Sequence, residues 1–232
     1  MRALRILLIF AVVLGGIFVA VDRIAVNMAE SEVADRVQNQ QGLGGGAEVS
    51  IKGFPFLTQV AAKQLDQVDV TLKDVEASAA GRKVRVSELA AELHDVRLQG
   101  SLTGFTSAKA ARATGTATVL YADLTRASEE GVRVSYGGNG KVKVTGSIGI
   151  LGRTVTRSVL STVSMVEGNT IRVRADEVPG EGIPGLEGMI RKRTDFDRQI
   201  GGLPDGLKLE KIEAREGGAE ISVTGTDVEL AG

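Results

Sequence analysis

The sequence contains no cysteine and no tryptophan, a single histidine, and only four prolines in 232 residues. Without cysteine there is no disulfide, no thiolate metal site and no cysteine nucleophile. The lone histidine, His94, lies between Leu93 and Asp95 with no second histidine and no nucleophile elbow elsewhere. A Ser-His-acid triad therefore does not assemble, and His94 reads as a surface or turn residue. The acidic pairs Glu129-Glu130 and Asp176-Glu177 are adjacent residues, which a strand points to opposite faces, so neither forms a converging catalytic pair. Net charge is −1 with both signs interspersed, and the clustered basic face that nucleic acid would require is missing. The reading is a non-enzymatic chain with no catalytic residue, no metal, no cofactor and no nucleic-acid partner.

What the chain does have begins at its N-terminus. Ala3 to Val21 is interrupted by charge only at Arg5, with Arg2 and Arg5 in front and Asp22-Arg23 behind. At about 1.5 Å per residue the run reaches close to the thickness of a bilayer core. A signal-peptide cleavage site would place bulky Phe18 where a small residue is preferred, so residues 1–21 read as an uncleaved transmembrane anchor rather than a signal peptide. Arg2 and Arg5 place the N-terminus in the cytoplasm. The rest is then a single-pass, extracytoplasmic domain over residues 22–232, or a secreted one if the segment is removed.

Beyond the apolar run, Ile24, Met28, Ala29, Val33 and Val37 recur at helical spacing opposite Asn27, Glu30, Glu32, Asp35 and Arg36, which predicts an amphipathic helix. Gly42, Gly44 and Ala47 match a dinucleotide-binding spacing, but they follow a helix and precede a strand, the reverse of what phosphate cradling needs. From Ala47 the period is two: Val49/Ile51, Val68/Val70/Leu72, Val84/Val86, Ala117/Val119/Tyr121, Val132/Val134/Tyr136, Val142/Val144, Ile171/Val173, Leu207/Leu209 and Ile221/Val223. Such alternation means strands with one dry face. Hairpin turns are expected at residues 137–140, 167–170 and 216–219, where glycine and asparagine supply positive φ. The apolar parity shifts between Leu209 and Ile212, which predicts a β-bulge, and Gly115, Gly146 and Gly225 mark bends or close backbone approach. Leu186, Met189, Ile190, Phe196 and Ile200 predict a second helix bearing Arg191, Lys192, Arg193 and Arg198. That cluster is either a solvated face or a site for an anionic head group, each cation contributing on the order of 1 kcal/mol near a charged surface. The fold class is α+β: a strongly curved antiparallel β-sheet wrapped over amphipathic helices.

Two of the six phenylalanines fall in one short stretch, Gly53-Phe54-Pro55-Phe56-Leu57-Thr58-Gln59. Pro55 fixes its own φ and favours an extended Phe54, while Gly53 permits backbone angles other residues resist, so the stretch reads as a rigid, kinked strand exit. This string, with the acidic helix before it and Val-x-Val-x-Leu after it, and with Gly115 to Leu124 further on, resembles the LmeA-like phospholipid-binding proteins of actinobacterial cell envelopes. The resemblance implies an extracytoplasmic, membrane-anchored lipid binder, similar to the tubular lipid-binding fold, whose ligand is a phospholipid of the phosphatidylinositol type. It also implies support of envelope glycolipid assembly, with glycolipid-synthesis proteins as partners. On this reading Phe54, Pro55, Phe56 and Leu57 shape the mouth of an apolar groove lined by Val70, Leu72, Val119 and Val134. Gln59 or the cluster Arg191, Lys192 and Arg193 then lies near the head group. An enclosed acyl chain of about sixteen carbons gains on the order of 12 kcal/mol gross, so only a few polar groups are needed at the mouth. The alternatives are a scaffolding module for another envelope protein and an envelope glycosidase or esterase.

Overall fold

The computed structural model describes residues 2–41, 45–79, 82–101, 104–128, 130–150, 153–167, 169–178, 187–188, 191, 194–200 and 203–230. A single helix, α1, runs without a break through Arg2–Gln41. Its first half, from Leu4 to Val21, is exposed throughout, and the helix is long and apolar enough to cross a membrane. Its second half lies against a six-stranded antiparallel sheet formed by β1 (Ala47–Lys52), β2 (Gln64–Ala79), β3 (Arg82–Ser101), β4 (Gly104–Val119), β10 (Leu207–Arg215) and β11 (Gly218–Leu230), in the order β1-β2-β3-β4-β11-β10. A second antiparallel sheet holds β5 (Val132–Gly138), β6 (Lys141–Ile150), β7 (Arg153–Val166), β8 (Thr170–Ala175) and β9 (Phe196–Gln199) in sequential order. Neither sheet closes on itself. Two short helices, α2 (Phe56–Ala61) and α3 (Tyr121–Ala127), complete the described elements.

The face that α1 turns to the sheet differs from the expected one. Ala25, Val26, Ala29 and Ala34 meet the core, whereas Ile24, Met28 and Val33 point outward and stay exposed. The helix is rotated because two of its acids bond backbone amides of the domain: Asp22 accepts from Leu57, and Glu30 accepts from Ile51 at 2.6 Å. The small side chains on the inward face let the helix approach closely, and Glu30 covers one amide of the edge strand β1 that would otherwise be open to a further strand.

Two rows of residues, all buried except the partly exposed Gly225, cross the larger sheet. Leu65, Val96, Ala110 and Val228 are cross-strand partners in one row, and Val68, Leu93, Ala113 and Gly225 are partners in the next. On each strand the rows are three residues apart, although a regular strand would point residues at that spacing to opposite faces. The backbone is turned between the rows at Asp95 and Asp227, whose φ values are 52° and 54°, a region aspartate tolerates better than most residues. Each is paired with a cation on β4: Asp95 with Arg112 at 3.3 Å and Asp227 with Lys109 at 3.5 Å. Gly225 has no room for a side chain, since a Cβ there would meet the Gly206 carbonyl and the Leu207 side chain. Gly115 is closely approached by Val223, but Gly146 has open space beside it, so that glycine marks no close contact.

The two sheets meet through β10. Leu209, Ile212, Ile221 and Val223 pack with Ile171 and Val173 of β8, and Ala214 packs with Val142, Val144 and Val159. The α3 helix joins the sheets in sequence and in space: the Tyr121 hydroxyl donates to the Arg215 carbonyl at 2.7 Å, and Thr125 Oγ1 accepts from the Val134 amide at 2.9 Å. Tyr121 is therefore helical rather than the end of the Ala117/Val119 strand. The three expected hairpins form, and the β10 register shifts between Leu209 and Lys211. The expected second helix ends early. Residues 187–188, 191 and 194 are helical, but Phe196–Gln199 pairs with β8, held by Asp197, which bonds both Arg172 and Arg174. Pro184, Leu186, Met189 and Ile190 lie outside the described residues, as do Lys192 and Arg193. His94 is in the middle of β3, half-buried beside Glu92, and not in a turn.

Candidate functional site: the Phe-Pro-Phe turn

Residues 53–59 leave β1 through a kinked turn, as expected, and then enter a short helix, α2, that was not expected from the sequence. Gly53 leaves β1 with φ of 94°, and the Phe54–Pro55 peptide is cis. Pro55 then sets the N-cap of α2 in an extended conformation, with no side-chain cap of its own. Proline suits the start of a helix, but the first-turn amides still need acceptors. Asp22, 35 residues earlier on α1, supplies them. Its Oδ1 accepts from the Leu57 amide at 2.8 Å, the Phe56 amide also points to it, and its Oδ2 accepts from Arg23 Nη2 at 2.9 Å. The Asp22 side chain is fully buried, and a carboxylate in that position is tolerated only with such partners.

The two phenylalanines have opposite environments. Phe56 is buried with Val26, Val49, Leu65 and Val68 in the cluster between α1 and the sheet. Phe54 is 56% exposed, and its ring lies under the Arg23 guanidinium at 5.1 Å. Arg23 therefore holds the Asp22 carboxylate and the Phe54 ring together, a cation–π contact worth about 0.5–1 kcal/mol at an exposed site. Gln59 is buried and bridges the two strands flanking the turn: its Oε1 accepts from the Asp66 amide at 2.8 Å and its Nε2 donates to the Lys52 carbonyl at 3.3 Å. Leu57 is half-buried against the same cluster, and Thr58 Oγ1 donates to the Pro55 carbonyl at 2.9 Å.

The remaining residues singled out from the sequence fall into separate groups. Val70, Leu72 and Val119 share one face of the six-stranded sheet through the rungs Val70–Ala91–Gly115 and Leu72–Leu89–Ala117. Val134 is on the other sheet, packed with Val142, Val144 and Val159. Arg191 stands away from the Phe-Pro-Phe turn and is committed to neighbours: it bonds Glu187 at 2.8 Å, Asp195 at 3.5 Å and the Ala175 carbonyl at 3.2 Å. Glu187 foremost raises its pKa above the ordinary guanidinium value. An open cleft of about 460 Å³ lies on the β10 side, lined by Tyr136, Gly140 and residues 211–216, and it is remote from the turn in sequence and partly charged. The roles of Asp22, Arg23 and Glu30 at the turn were not read from the sequence; the available signal was a charged pair placed directly after the apolar run.

No curated protein and no solved structure matches the chain. The family model described as LmeA-like phospholipid-binding matches residues 20–224, beginning two residues before Asp22 and taking in the Phe-Pro-Phe turn and nearly all of both sheets. The chain belongs to the LmeA-like phospholipid-binding family.

Proposed function

We propose that the protein is a membrane-anchored, non-catalytic phospholipid binder of the cell envelope, with residues 1–21 as its single transmembrane anchor and residues 22–232 as its extracytoplasmic lipid-binding domain. The observation that carries this reading is the family match over residues 20–224, joined to an exposed apolar helix leading directly into the matched region. The acyl chain lies along the apolar face of the six-stranded sheet on which Val70, Leu72 and Val119 share a side, with the Phe54–Leu57 turn at one end of it. Val134 extends the apolar lining onto the second sheet. The basic cluster Arg191, Lys192 and Arg193 is proposed to meet the head group, with Arg191 keeping its bonds to Glu187 and Asp195, while Gln59, bonded at both ends of its amide, braces the turn near it; a phosphatidylinositol-type lipid is the proposed ligand. The setting is the assembly of envelope glycolipids, alongside proteins that synthesise them.

Burial of hydrocarbon supplies the binding free energy at roughly 0.8 kcal/mol per methylene. No bond need be made or broken for such a protein to act. The test is native mass spectrometry of the full chain released from detergent, with lipid extraction of the same sample, for wild type and Leu72→Gln. Leu72 is half-buried, so the variant is expected to fold. A stoichiometric phospholipid in the wild type that is depleted in Leu72→Gln supports the proposal. Lipid-free protein in both, even after incubation with phosphatidylinositol vesicles, overturns it.

A further inference from the structure

The turn at Phe54 is fastened to α1 at the point where the apolar run ends. Val21 is the last residue of that run, Asp22 bonds the Leu57 amide, and Arg23 lies over the Phe54 ring. From Leu4 to Val21 the helix rises about 26 Å, close to the hydrocarbon thickness of a bilayer, so Asp22 and Arg23 fall at the level of the head groups on the far side. Phe54 must then sit at that level too, because it is in contact with Arg23. Its exposure is not isolated. Val21, Ile24 and Met28 recur at four- and three-residue spacing on one face of α1 and are 49%, 60% and 69% exposed. Apolar surface of α1 therefore continues past the charged pair, on the side of the helix turned away from the domain.

We infer that the Phe54 ring is seated in the head-group layer of the same bilayer that α1 crosses, held there by Arg23, so that the Phe-Pro-Phe turn rests on the membrane surface. This rests on the proposal that residues 1–21 span the membrane. The chemistry suits the place: aromatic rings favour the interface, and an arginine two residues beyond the apolar run reaches lipid phosphate while its guanidinium covers the ring. The turn proposed to border the lipid groove would thereby open toward the lipid pool itself.

The chain has no tryptophan, so a single substitution makes a specific reporter. Phe54→Trp and Val13→Trp are each incorporated as full-length chain into phosphatidylcholine–phosphatidylglycerol vesicles whose acyl chains carry bromine either near the ester or near the methyl end. Phe54→Trp is expected to emit to the blue of tryptophan in water and to be quenched more by the ester-end bromine. Val13→Trp is expected to be quenched more by the methyl-end bromine. Quenching of Val13→Trp alone, with Phe54→Trp emitting as in water, overturns the inference while leaving the anchor in place. No quenching of Val13→Trp removes the anchor and the inference with it.

Discussion

The Asp22 carboxylate accepts the Leu57 amide at 2.8 Å, tying the end of the apolar helix to a turn 35 residues later. Asp22→Asn keeps an acceptor for that amide, whereas Asp22→Ala leaves the amide unpaired and empties a fully buried position. Both variants are expected to lower the urea midpoint, Asp22→Ala more than Asp22→Asn. Hydrogen exchange at the Leu57 amide should accelerate in the same order. Unchanged exchange in Asp22→Ala would show that the bond does not hold the turn.

Gly53 has φ of 94°, and a Cβ on it would meet Gln59 Nε2 at 2.5 Å and Asp66 Oδ2 at 2.6 Å. Gly53→Ala therefore combines an unfavourable backbone region with displacement of the glutamine that bridges β1 and β2. The expected loss is about 1–3 kcal/mol, read from chemical denaturation. A loss within experimental error would mean that the turn relaxes to another conformation.

Phe54 and Phe56 should separate stability from surface contact. Phe56→Ala removes a buried ring from the cluster between α1 and the sheet and is expected to cost about 3–5 kcal/mol. Phe54→Ala removes a ring that is mostly exposed and should cost no more than about 1 kcal/mol. Thermal unfolding of the two variants side by side checks the order. The reverse order would place the wrong ring in the core.

Asp176 bonds Lys141 at 2.8 Å and accepts the Thr162 hydroxyl at 2.6 Å, and these partners, Lys141 foremost, hold its pKa below the ordinary aspartate value of 3.8. A carboxylate with a lowered folded-state pKa binds its proton more readily when unfolded, so its contribution is present above the ordinary value and is lost as pH falls through the folded one. Stability measured by urea midpoint should therefore drop on acidification below about pH 4, and Asp176→Asn should drop less steeply over the same window. Parallel pH profiles would remove Asp176 from the explanation.

Strands were readable where apolar residues alternate with polar ones, as in β1, β2, β5, β6 and β8, and the bulge after Leu209 showed as a change of parity. Three features were not readable, each for a physical reason. Phe196 and Ile200 fit a helical spacing, but the Arg172 and Arg174 partners that fix Asp197 in β9 lie on a strand distant in sequence. The inward face of α1 could not be chosen from hydrophobicity, since the larger residues Ile24 and Met28 face out while Asp22 and Glu30 face amides contributed by later segments. The Phe-Pro-Phe stretch was legible as a rigid, kinked exit from β1, but α2 after it was not, since its first turn has no side-chain cap of its own and depends on Asp22 of another element. The candidate site was thus visible as a motif, whereas its fastening to the helix was visible only once the chain was folded.

The unbroken course of α1 from Arg2 to Gln41 has a mechanical consequence. A flexible linker after the apolar run would let the domain swivel and reach outward, but a continuous helix bonded to the domain at Asp22 and Glu30 provides no hinge. If its first half spans the membrane, the domain's height and tilt above the bilayer are set by the helix. Cargo would then be exchanged with the adjacent leaflet, and delivery elsewhere would require a second protein to come to it.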